Sequence, residues 1–235
     1  MLADLLNRKG DENGTETNLR DLDHKKGPMT RVLVTAFGPF PGAPSNPTMA
    51  LVRALERRHG KRLARLSISL HTRILPVRFA QVEDALTAAL DELRPDVVLH
   101  LGLAGRRAAL SVELRALNRL GTLRPDAART FAASPRVAPG DPFQRVARWP
   151  AQAIRAAMDQ FAITRLSIDA GDYVCNQTLF LTLARTTGPV GFIHIPRPRK
   201  GERRRPGLEA MVEATAQAVV MMARAARPSF AALRA

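Results

Sequence analysis

Apolar and polar positions along this chain switch between two periods, near two residues and near 3.6, and the switches predict its elements. An apolar, β-branched run over 31–36 predicts a central strand, stopped by the turn-rich Phe37-Gly38-Pro39-Phe40-Pro41-Gly42. Asn46 then supplies an N-cap and Pro47 a first helical residue. Leu51, Val52 and Leu55 share one face of that helix, with Gly60 as its expected stop. Alternation over 66–75, with Leu66, Ile68 and Leu70 set against Ser67, Ser69 and His71, predicts a half-exposed strand, and Phe79, Val82, Leu86, Leu90 and Leu93 recur at helical spacing up to Pro95. A buried strand follows over 96–101 and ends in Gly102-Leu103-Ala104-Gly105. Residues 110–115 alternate again, placing Ser111, Glu113 and Arg115 on one face.

From 117 to 150 the periodicity fades and prolines accumulate, predicting an irregular excursion longer than a plain connector and so functional or interfacial. Regular elements resume as a helix over 151–161, a strand over 163–168, a helix over 175–185 and a strand over 190–195. A charged, Pro-bounded and solvated loop spans 197–206. Leu208, Met211, Val212, Thr215, Val219 and Met222 then line one face of a last helix that ends before Pro228. Strands alternating with helices predict the α/β class: a single-domain α/β/α sandwich around a mostly parallel, twisted central sheet, phosphorylase- or hydrolase-like. Right-handed crossovers would put the strands' carboxyl ends on one side, and the expectation is that Phe37 to Phe40, Gly102 to Gly105, Cys175 and His194 gather there. Residues 1–28 carry no sustained apolar period and read as a disordered extension. The domain is expected over 29–235, and Met29 is a candidate natural start.

The net charge of +15 changes this picture little. The first 28 residues hold five Lys/Arg against six Asp/Glu, so the excess sits on the body of the chain, where arginines are scattered apart from a dense run over 197–205. Only five lysines occur, a ratio that points to codon bias, and one Trp and one Tyr are too few for a base-stacking platform. No nucleic-acid partner is therefore expected. One cysteine excludes an intrachain disulfide, and no apolar run of membrane-spanning length or signal-type leader is present. No membrane association and a cytoplasmic location are the expectation.

That single cysteine, Cys175, follows the Asp169-Ala170-Gly171-Asp172 turn at a predicted helix N-terminus, where the macrodipole favours a thiolate. It reads equally as a small buried hydrophobe, and becomes a candidate nucleophile only if a histidine and an acid converge on it. His194, near the end of its strand and just before Pro196, and Glu113, able to orient an imidazole, are the candidates. His100, between Leu99 and Leu101 in mid-strand, reads as a satisfied core histidine, and His24, His59 and His71 lie in polar contexts. Gly102 to Gly105 form a G-x-x-G that lacks the Lys-Ser/Thr of a phosphate loop. No C-x-x-C or H-E-x-x-H spacing suggests a metal, and no cofactor is expected.

Four separated segments, Phe37-Gly38-Pro39-Phe40, Glu113 with Asn118, Gly171-Asp172-Tyr173-Val174-Cys175-Asn176 and Phe192-Ile193-His194-Ile195-Pro196, resemble the pyroglutamyl peptidase I family in the family's order. The resemblance implies Glu113, Cys175 and His194 as a catalytic triad, with Phe37, Phe40, Leu103, Tyr173 and Val174 at the substrate. It implies N-terminal pyroglutamyl peptides as substrates, and a homo-oligomer, a homotetramer by resemblance to prokaryotic members. The chain departs from the family pattern at Ala36 (Gly in the family), Arg106 (Gly), Leu114 (Arg) and around Leu123-Arg124-Pro125-Asp126, where a pocket-edge Arg is displaced. Two rival readings stand beside it: a nucleoside-phosphorylase-like transferase using Gly102 to Gly105 and a nearby Arg for phosphate, and a non-catalytic basic binding module.

Overall fold

The computed structural model describes residues 29–199 and 205–227. The expected extension over 1–28 lies outside the described residues, as does part of the 197–206 loop. In chain order the elements are β1 (Thr30–Phe37), α1 (Pro47–Arg65), β2 (Ile68–Leu75), α2 (Val82–Leu93), β3 (Val97–Leu103), β4 (Leu110–Glu113), β5 (Arg115–Leu117), β6 (Gln144–Val146), α3 (Ala151–Asp159), β7 (Thr164–Ser167), α4 (Val174–Arg185), β8 (Val190–Ile195) and α5 (Leu208–Ala226).

Six strands form one sheet in the order β2-β1-β3-β8-β4-β7, and β5 pairs with β6 in a separate ribbon. Alternation along the strands divides the interior in two. Val32, Val34, Val97, Leu99, Leu101, Val112 and Ile193 face α1, α3 and α5. Leu33, Phe37, Val98, Val190 and Phe192 face α2 and α4. The result is the expected three-layer α/β/α sandwich.

Among the features that differ from expectation, two shape the frame of the sheet. The first helix runs past Gly60 to Arg65. A helical glycine costs about 1 kcal/mol, whereas burying the Leu63 side chain, 1% exposed, returns about 2 kcal/mol, so packing wins. The second concerns strand direction. β2, β1, β3 and β8 are parallel, but β4 pairs antiparallel with β8, and β7 runs parallel to β4. Cys175 therefore does not reach the common rim from the carboxyl end of β7, as expected. It is carried there by α4, because the short connection from α4 to β8 makes the two run in opposite directions and sets the helix N-terminus beside the end of β8. Arg148 locks that connection, donating to the carbonyls of Leu183 (2.9 Å), Gly188 (3.1 Å) and Thr186. Gly188 is required there, since an added Cβ would lie 2.3 Å from the Asp96 carbonyl oxygen.

The excursion before α3 is held by two buried polar residues. Asp126 accepts from the backbone N–H of Phe79, Ala128 and Thr130. Asn118 bonds Ala138 in both directions, giving to its carbonyl and accepting from its N–H. Among the described residues, no helix is long and apolar enough to cross a membrane.

Candidate active site

The rim of β3 and β8 is where chemistry-bearing side chains converge. Gly102 and His194 are partners in the parallel register of these strands, about 4.8 Å apart. The thiol of Cys175 sits over Gly102: a Cβ there would fall 2.9 Å from Sγ and 2.6 Å from Cζ of Phe192. Glycine is thus what lets the thiol settle over this register pair. On the other side of β8, Ser111 is the antiparallel partner of His194, which places Glu113, two residues on, on the same face within diagonal reach. Glu113 Oε1 lies 2.8 Å from His194 Nδ1. An ionised carboxylate only accepts, so Nδ1 carries the proton and Nε2 is left as the basic nitrogen. The chain breaks at Leu114, so Arg115 leaves this face for the β5–β6 ribbon, donating to the Ile168 carbonyl and Gln144, contrary to its expected place beside Glu113.

Glu113 is fully buried and has a second partner, Arg107, whose Nη1 donates to the same Oε1 at 2.6 Å while Nη2 holds the Asp169 carbonyl at 2.7 Å. Oε2 has no hydrogen-bond partner among the described residues. A buried charge of this kind is tolerable only when paired, and the guanidinium supplies the countercharge.

Cys175, His194 and Arg107 border a pocket of about 210 Å³. Of the residues expected at the site, Phe37, Phe40, Leu103, Tyr173, Val174, Cys175 and His194 line it, and Glu113 stands behind His194. Reading the sequence alone missed Asn46, Val77, Arg107, Arg124 and Asp169, which line it too. Asn46 had been read only as a cap: its Oδ1 accepts from the Thr48 N–H, and its Nδ2 also donates to the Gly38 carbonyl, tying the Phe37–Phe40 turn in place. Arg124 arrives from the excursion and lies over the Tyr173 ring at 4.0 Å, while the Tyr173 hydroxyl donates to the Pro125 carbonyl.

Cys175 is the second residue of α4, whose N-cap, Tyr173, makes no side-chain cap, so the first-turn N–H groups remain available. Contrary to the expectation of a helix-stabilised thiolate, burial pushes the thiol up to about 12; Glu113 adds to the rise, and Arg124 opposes it. The thiol is therefore protonated at neutral pH and needs a base at the moment it attacks. Among the described residues, no group of three or more His, Cys, Asp or Glu could hold a metal ion.

His100 is fully buried two residues before Gly102. The Thr182 hydroxyl gives its proton to the Thr178 carbonyl, so it accepts from His100 Nε2 (2.9 Å), and Thr35 donates to Nδ1 (2.7 Å). Burial lowers its pKa to about 3, and the ring is a neutral core residue without access to the pocket.

The pyroglutamyl peptidase family model, of peptidase family C15, matches residues 30–226. The chain is 33% identical to the pyrrolidone-carboxylate peptidase of Pyrococcus furiosus over 172 residues, 71% of this chain and 80% of the relative. It is 37% identical to that of Clavibacter michiganensis over 175 residues, 72% of this chain and 79% of the relative. The crystal structure of pyrrolidone carboxyl peptidase from Thermus thermophilus superposes with a TM-score of 0.71 at 34% identity, covering 81% of this chain and 99% of that one. With four motifs in order, a common fold and identity at this level over most of its length, the chain belongs to the pyroglutamyl peptidase family.

Proposed function

We propose that this protein is a cysteine exopeptidase that removes an N-terminal pyroglutamyl residue from peptides, with Cys175, His194 and Glu113 as its catalytic groups. The observation that carries the reading is the Glu113–His194 contact of 2.8 Å beside a thiol seated over Gly102, the register partner of His194. As Sγ attacks the amide carbonyl, His194 Nε2 takes the thiol proton, and Glu113 stabilises the imidazolium. First-turn N–H groups of α4 stabilise the oxyanion. The C–N bond breaks as His194 returns the proton to the leaving amine, and a thioester remains. Water, deprotonated by the same nitrogen, then cleaves the thioester, releasing pyroglutamate and restoring the thiol.

The lactam has no α-ammonium group, and the pocket wall of Phe37, Phe40, Leu103, Tyr173 and Val174 suits an uncharged ring. We take 29–235 as one peptidase domain, with a cytoplasmic location that suits a free thiol. Exposed Leu123, Phe131, Phe143 and Val146 offer apolar surface for a homo-oligomer, with a homotetramer the state we favour. We infer no nucleic-acid partner, since many arginines, among them Arg31, Arg58, Arg73 and Arg185, are engaged by carboxylates. The test is hydrolysis of a pyroglutamyl-aminocoumarin amide. Cys175→Ala is expected to lower kcat by at least about 10³-fold, and survival of the parental rate would sink the mechanism.

A further inference from the structure

The pocket that holds Cys175 opens sideways into a second cleft, of about 490 Å³, sharing with it Phe40, Leu103, Arg107 and Arg124. Arg106 and Arg197 complete a lining of four guanidinium groups drawn from three separate segments of the chain, and among the described residues no carboxylate lines it. Two of the four are countered: Arg107 is paired with Glu113, and Arg124 has Asp172 at 4.0 Å. The other two carry no ion pair among the described residues. Arg197 donates to the Gly42 carbonyl and is held against Gly105, where an added Cβ would lie 3.1 Å from its Nε. Its charge is thereby fixed across the cleft. Arg106 is exposed, makes no hydrogen bond with the described residues, and occupies a position where the family pattern has glycine.

A substrate whose ring fills the apolar pocket must send the remainder of its peptide out through an opening. A second neighbouring groove, toward Arg165 and Ser167, shares only Arg107 and the acidic Asp169 with the pocket among the described residues. The arginine cleft is the broader junction and the one of uniform sign. We propose that it is the subsite for the departing peptide, and that it favours substrates bearing a carboxylate within the first two residues beyond the scissile bond, from either an acidic side chain or the free C-terminus. This rests on the cysteine exopeptidase reading.

The test uses the full chain and four matched peptides at low and high salt. They are pyroglutamyl-Ala-Gln amide, pyroglutamyl-Ala-Glu amide, pyroglutamyl-Ala-Lys amide, and pyroglutamyl-Ala-Gln with a free C-terminus. At low salt, kcat/KM for a carboxylate-bearing peptide is expected to exceed that of the Lys peptide by about three- to tenfold, mostly through KM. The ratio should shrink toward one at about 0.5 M salt and shrink or invert in Arg106→Glu. A preference confined to the Glu side chain, or to the free C-terminus, supports the subsite and identifies which carboxylate it reads. Equal kcat/KM for all four, or a ratio indifferent to both salt and Arg106→Glu, overturns the subsite and leaves the peptidase reading standing. Hydrolysis of none of the four overturns the peptidase reading itself.

Discussion

Two histidines on neighbouring strands, His100 on β3 and His194 on β8, face the same helical layer and touch the same ring, Phe192, at centroid distances of 5.9 and 4.6 Å. They are separated by about two residues of strand. His100 is enclosed by two threonine hydroxyls that satisfy both ring nitrogens, and burial keeps it neutral. His194 has one nitrogen held by a buried carboxylate and the other left to a pocket shared with a thiol. The same side chain is a packing element in one place and a proton carrier in the other. What separates them is the identity of the partner at Nδ1, hydroxyl or carboxylate, and the distance to the sheet's rim. Hydroxyls on both sides consume the ring's donor and acceptor capacity without stabilising a charge, whereas a carboxylate does stabilise one.

The sharpest way to break this contrast is to disable each histidine in turn. His194→Ala is expected to lower kcat by about 10³-fold or more, and Glu113→Gln by about 10²- to 10⁴-fold through loss of the charge that supports the imidazolium. Steady-state turnover of a pyroglutamyl amide reads both, and a His194→Ala enzyme at the parental rate would move the base elsewhere. Gly102→Ala tests the ground between the histidines. Its Cβ must displace the thiol or the Phe192 ring, so we expect kcat to fall by about tenfold and stability by about 1–3 kcal/mol. Unchanged activity and denaturant midpoint together would show that the thiol does not depend on this close approach.

The smallest effect on turnover belongs to His100→Gln, for which activity per folded molecule should stay within about twofold of the parent. Its signature lies in stability. The ring's folded pKa, about 3, is below the ordinary histidine value of 6.5, so below pH 6.5 the unfolded chain takes a proton that the folded chain refuses. The stabilisation is present above that value and is lost as pH falls toward 3. Between pH 7 and pH 5 this amounts to about 2 kcal/mol. Denaturant midpoints at the two pH values should show that acid-side loss in the parent and a flatter profile in His100→Gln; identical profiles would remove the assigned cause.

Much of the architecture was legible along the chain because its signals are local. The Asn46–Pro47 helix start, the apolar runs of β1 and β8, and the apolar face of α5 each arise from a few adjacent residues. The misreadings mark where distant contacts intervene. Gly60 does not stop α1 because Leu63 finds a core to enter. Leu114 splits an alternating run in two, sending Arg115 away from Glu113. Among the pocket residues, Phe37, Tyr173 and Val174 belong to local motifs, whereas Arg124 stands in a segment that departs from the family pattern and Arg107 in no motif the sequence singles out. Nothing adjacent to either predicts that one reaches a buried carboxylate and the other an aromatic ring in a different loop.

The sequence alone determined the chemical inventory: a single thiol, a histidine near the end of an apolar strand, an acid in an alternating run, and the order of strands and helices. These are properties of residue type and short-range period, which every stretch of chain expresses by itself. Tertiary structure decided direction and charge: that β4 and β7 run against the rest, that α4 rather than β7 delivers Cys175, that the thiol is raised rather than lowered, and that scattered arginines close around one cleft. Those outcomes depend on sheet register, enclosure and electrostatic distance, quantities that exist only once remote segments have been brought together.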